Sequence, residues 1–196
     1  GQSLWGIAAA AGGVTIAILS PVLGAVADQG GRRMLWLALF SAALIAGMAC
    51  LWFAVPGAGE GRIYFVLGAF ALAMLGAEFA TVFTNAMLPD IARPGGIGRL
   101  SGLGWGVGYL GGLASLFIML VFIVAESTSG RTLAGLSPLF GDALSFAGER
   151  ASGPFSAVWY FLFVLPLFLF APPEAPRRNG RTGVAAALKS LAASLR

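Results

Sequence analysis

IYFVLGAFALAMLGAEFATVFTNAML, Ile63 to Leu88, is a stretch of mainly apolar and small residues interrupted by a single acidic side chain, Glu78. An α-helix needs about 20 predominantly apolar residues to cross a bilayer, and this stretch meets that length without a turn signal inside it. Moving outward, four more segments have the same character: Leu4 to Ala27, Met34 to Val55, Ser101 to Ala125 and Pro154 to Ala171. The last is the shortest and holds Pro166 near its centre, where loss of a backbone donor predicts a kink. The fold class expected is all-α, a polytopic membrane helix bundle of about five transmembrane helices.

Composition agrees. Of 196 residues, 58% are hydrophobic and 10% charged, with a mean hydropathy of +0.88, far from the balance of a soluble domain. The chain has no histidine and one cysteine, Cys50. A disulfide within the chain and a thiolate metal site are therefore excluded. The usual general base is missing too, and Asp and Glu lie mostly in loops. No catalytic constellation can be assembled, so an enzyme is not expected and no cofactor is called for.

A net charge of +4 does not imply nucleic acid, because the basic residues sit in short loops and the tail. Arg32 and Arg33, then Arg93 and Arg99, then Arg177, Arg178, Arg181, Lys189 and Arg196 fall on one side of an alternating topology. Arg62, Arg131 and Arg150 fall on the other, the last two in a longer loop with Glu126, Asp142 and Glu149. The positive-inside bias places the first set in the cytoplasm and Gly1 outside. The stretch from Ser127 to Gly153 reads as an external loop with room for a short surface helix. Residues 1–171 form one incomplete transmembrane bundle on this reading. Residues 172–196 read as a cytoplasmic linker, in which Val184, Leu188, Leu191 and Leu195 recur at helical spacing, as in an amphipathic helix on the inner leaflet.

Between the first two segments runs GAVADQGGRR, Gly24 to Arg33. Gly24 permits close helix contact, Gly30 and Gly31 a tight turn, and Asp28 can pair with a cation, while Arg32 and Arg33 suit anionic headgroups. The spacing G-x(3)-D-x-x-G-R-R resembles the cytoplasmic signature joining the second and third spans of major facilitator superfamily transporters, with Gln29 departing where a basic residue is usual. The resemblance implies a gating loop of Gly24, Asp28, Gly31, Arg32 and Arg33, in which Asp28 pairs with Arg93 or Arg99 in one state and releases it in another. The plainer reading is that the arginines only fix topology.

NAMLPDIARPGGIGRLSGLGWGVGYLGG, Asn85 to Gly112, is similar to the stretch joining the fourth and fifth spans in the vacuole effluxer branch of that superfamily, which includes fungal autophagy-related vacuolar amino-acid exporters. NAMLPDIA, GRLSGLGW and GYLGG carry the likeness, with SPVLGAVAD upstream. By that alignment the segments are spans two to six of twelve, arranged in two six-helix halves, and the first span and C-terminal half of the same protein are missing partners. The glycine spacing also resembles the fifth-span signature of drug/proton antiporters, but Tyr109 stands where a proline is sought.

Gly104, Gly108 and Gly112 stand four apart and make a stripe nearly free of side chains, suited to tight helix packing or to a sliding surface. Glu78, Thr81 and Asn85 share one side of a helix. An acid inside a span costs about 2.5–3.5 kcal/mol on insertion scales. Glu78 is thus a candidate for binding a substrate ammonium or carrying a coupled proton, the alternative being an interhelical hydrogen bond by a protonated carboxyl. Tyr64, Trp105, Tyr109, Trp159 and Tyr160 suit interfacial anchoring or a cavity wall. The function implied is secondary active transport of a small solute by alternating access, with amino-acid efflux drawn from the effluxer likeness alone. Another solute such as a drug or peptide, or a scaffold or sensor with the same fold, is also compatible. The expected setting is the lipid bilayer, as a multi-pass protein of a bacterial inner membrane.

Overall fold

In the structure, a computed structural model, residues 2–29, 32–126, 128–140 and 146–171 are described. The expected amphipathic helix of the tail, and the turn at Gly30 and Gly31, lie outside them. The described chain is all-helical but for one isolated bridge: α1 (Gln2–Gln29), α2 (Arg33–Cys50) with a 3-10 turn at Leu51–Phe53, α3 (Glu60–Ile91), α4 (Ile97–Ile118) continued by a π-helical turn at Met119–Ile123, and α5 (Ala147–Phe170). All five helices are long and apolar enough to cross a membrane.

Each expected span is present, and most extend beyond their expected limits. The largest correction is to the last. α5 begins at Ala147, seven positions before the expected start at Pro154, and its 24 residues make it longer than the 18-residue α2. It runs on through Pro154 and Pro166. One face of its extra turns is buried, where Gly148 meets the backbone at Ile123 and Gly153 meets Met48 and Leu51. Part of the supposed external loop is therefore helix. Residues 128–140 of that loop fold back on α4. The carbonyls of Leu120 and Phe122, left open by the π turn, accept hydrogen bonds from the amides of Leu133 (3.0 Å) and Leu139 (3.2 Å), which answers the need of helix-end carbonyls for partners. An antiparallel bridge pairs Ala125 with Thr132.

The core lies where α1, α2 and α3 meet. Ala27, Leu37, Ala80, Phe83 and Met87 form one buried cluster, with Phe83 and Leu37 fully enclosed. Trp36 and Phe40 stack on the Phe83 ring with centroids 6.0 and 5.8 Å away. α2 and α3 come so close that a Cβ on Gly47 would lie 2.6 Å from the Ala69 carbonyl oxygen. One on Gly76 would lie 2.6 Å from the Leu44 nitrogen. This reciprocal glycine contact is the small-residue packing used by helices in lipid, where the surroundings are as apolar as the side chains and close van der Waals fit drives association. The remaining apolar surface points outward, as with Ile18 and Leu169, each near 65% exposed, consistent with a lipid-facing exterior and a multi-pass membrane protein.

Candidate functional site

Two features stand out between these helices: a groove in the half of the bundle nearer Arg33 and an ion pair at the end that carries Arg33. The groove, about 660 Å³, is bounded by α2, α3, α4 and α5. This falls within the roughly 300–1,000 Å³ of small-molecule sites. α3 contributes Thr81, Thr84 and Asn85, while α4 contributes Ser101, Trp105 and Tyr109. No Asp, Glu, Lys or Arg is among its lining residues.

Its polar groups differ in how far they are already satisfied. The hydroxyls of Thr81 and Thr84 donate back to the carbonyls of Ala77 (2.9 Å) and Ala80 (2.8 Å), the usual way a Thr settles inside an apolar helix. Tyr160, on the α5 wall, shares a 2.8 Å hydrogen bond with Ser41 of α2. The Asn85 side chain is exposed and makes no hydrogen bond among the described residues. Of the expected trio, Thr81 and Asn85 line the groove. Glu78 is exposed one turn earlier on α3 and lies outside the lining residues.

Gly104 and Gly108 also face the groove, and Gly112 does not. A Cβ at any of the three would meet nothing within 4 Å, so the described chain makes no close helix contact along this stripe. α4 has no buried residue. Among the aromatic candidates, Trp105, Tyr109 and Tyr160 wall the groove, Tyr64 is exposed, and Trp159 lies between the rings of Phe155 and Phe163.

At the far end of α3, Arg33 is 6% exposed. Its Nη2 is 2.7 Å from Oδ2 of Asp90, and its Nη1 donates to the Ala86 carbonyl. The first residue of α2 is thereby tied to the last turn of α3. The sequence assigns Arg32 and Arg33 to the anionic headgroups and pairs Asp28, whose side chain lies outside those described, with Arg93 or Arg99. Asp90 went unnoticed although it stands in the quoted NAMLPDIA, at the same membrane boundary as Arg33. Arg93 and Arg99 are exposed and form no ion pair among the described residues. Gly95, at φ 75°, turns the chain from α3 into α4, a backbone angle that glycine adopts without steric cost. Gly24 has open space where a Cβ would stand.

With this geometry in view, comparison with known proteins gives one relative. Over 152 residues the chain is 28% identical to YxiO, an uncharacterized MFS-type transporter of Bacillus subtilis (strain 168). The aligned part is 78% of this chain and 32% of the relative. The chain thus spans about a third of the length of the curated relative it matches. No protein-family model matches, and no solved structure does. The relative's name specifies no substrate.

Proposed function

We propose that this chain supplies most of one helical half of a secondary active transporter of the major facilitator type, which moves a small solute by alternating access. The observation that carries the reading is the groove among α2, α3, α4 and α5, a solute-sized space with aromatic and hydroxyl lining between membrane-length helices. The similarity to an MFS-type transporter supports it. Glu78, Thr81 and Asn85 are the candidates for substrate or proton contact. Glu78 would reach the transport path once the remaining helices of the transporter surround α3.

On this reading Gly104, Gly108 and Gly112 receive a helix from the rest of the protein, and residues 172–196 link the two halves along the inner leaflet. The Arg33–Asp90 pair holds α2 against α3 in one state. Asp28, Arg93 and Arg99 are the exchange partners when the cytoplasmic side opens. An amino acid is the proposed solute and efflux the proposed direction, both resting on the effluxer-like motifs between Asn85 and Gly112. The proposed location is a bacterial inner membrane.

The test is solute flux in proteoliposomes containing the complete gene product, screened with mixtures of amino acids under an imposed pH gradient. Accumulation that collapses with the gradient, and that is lost in Glu78→Gln, is expected. Flux with an unchanged pH dependence in Glu78→Gln removes Glu78 from the mechanism, and absence of flux for every solute overturns transport.

A further inference from the structure

At the end of the bundle opposite Arg33, a second cavity of about 230 Å³ opens between the start of α1, the turn after α2 and the first turns of α3. Trp5, Phe53, Val55, Pro56 and Val66 form much of its lining, and the one charged lining residue is Arg62. The aromatic walls are braced from behind. Trp5 meets Phe70 edge-on at 5.0 Å, and Phe53 meets Phe65 at 5.9 Å.

Arg62 differs from Arg33, Arg131 and Arg150 in having no partner among the described residues, and unlike the exposed Arg93 and Arg99 it lines this cavity. Arg33 is paired with Asp90, Arg131 donates to the Gly135 carbonyl at 2.8 Å, and Arg150 donates to the Trp52 carbonyl and lies over its ring. The Arg62 guanidinium is exposed and has no partner among the described residues, not even Glu60 two positions before it. A planar cation with five free donors suits a phosphate.

Size selects among phosphates. The cavity is below the roughly 300 Å³ at which pockets begin to enclose a whole small molecule, so it fits the apolar part of something larger. Its position also matters: it sits at the end of membrane-length helices, beside exposed Tyr64 and Phe65, where aromatic residues mark the headgroup level. We propose that this cavity is a site for an anionic phospholipid, with the lipid phosphate on Arg62 and the first part of an acyl chain against Trp5, Phe53 and Val66.

The experiment is native mass spectrometry of the detergent-solubilised protein titrated with phosphatidylglycerol or phosphatidylcholine. Wild type is expected to retain phosphatidylglycerol in preference. Arg62→Ala and Arg62→Gln should lower that retention about fivefold, the share one arginine adds at an anionic surface, and leave phosphatidylcholine unchanged. Arg62→Lys should keep most of the preference, and Arg131→Ala all of it. Equal retention of the two lipids by wild type overturns the proposal, as does an equal loss in Arg131→Ala. Full competition by millimolar inorganic phosphate also overturns it, since the site would then serve a free anion.

Discussion

α3 and α4 are both long apolar helices with small residues along one side, yet they use those residues in opposite ways. On α3, Gly76 touches the backbone of α2 while Gly47 of α2 touches α3 in return. On α4, Gly102, Gly104, Gly106, Gly108, Gly111 and Gly112 all look onto open space. The difference shows that glycine density does not identify a contact. Close approach needs a small residue on each helix at matching heights, and α3 offers Ala69 and Ala73 to receive Gly47 while its own Gly76 receives the backbone of Phe40 and Leu44. α4 carries the denser stripe but faces no such partner in the described chain.

The comparison can be broken most sharply at the rings. Phe83→Ala should cost about 3–5 kcal/mol, the range for emptying a buried aromatic site. Phe117→Ala on α4, 63% exposed, should change stability by less than about 0.5 kcal/mol. Titration with sodium dodecyl sulfate in mild detergent, followed by circular dichroism, reads both. Gly76→Val comes next at about 1–3 kcal/mol, because the added carbons meet backbone that cannot swing aside. Gly108→Val should be near neutral in this chain and destabilising in the longer transporter proposed above. Neutrality in both would leave the α4 stripe without a packing role.

Asp90→Asn should lower stability by about 1 kcal/mol. Its carboxylate is half exposed, so the pair gains little more than a surface bridge. The smallest effect belongs to Tyr160→Phe. Losing the Ser41 hydrogen bond should cost about 0.6 kcal/mol, the average for such bonds between membrane helices. A larger loss would make the α2–α5 seam a stronger junction than the α2–α3 contact implies.

The existence and type of the five helices were legible because apolar length is a direct physical requirement for spanning lipid. The start of α5 was not. Glu149 and Arg150, among glycines and serines, read as loop. The sequence alone does not show that Arg150 is accommodated by the carbonyl and ring of Trp52, nearly a hundred positions away. The arginine turn was legible as a charged boundary, whereas its partner Asp90 emerged only once α3 set its last turn beside Arg33. At the groove, one helical face predicted Thr81 and Asn85 together, and both line it. That face also included Glu78, which periodicity alone could not exclude, since the groove edge is drawn by α4 and α5.

The most direct test of the central claim is the sidedness of Arg32 and Arg93. In a Cys50→Ala background, single cysteines at Arg32, Arg93 and Ser129 can be labelled with a membrane-impermeant maleimide in intact cells and in inverted vesicles. The account predicts that Arg32 and Arg93 react from the same, cytoplasmic face and Ser129 from the other. Labelling of Arg32 and Arg93 from opposite faces would contradict it.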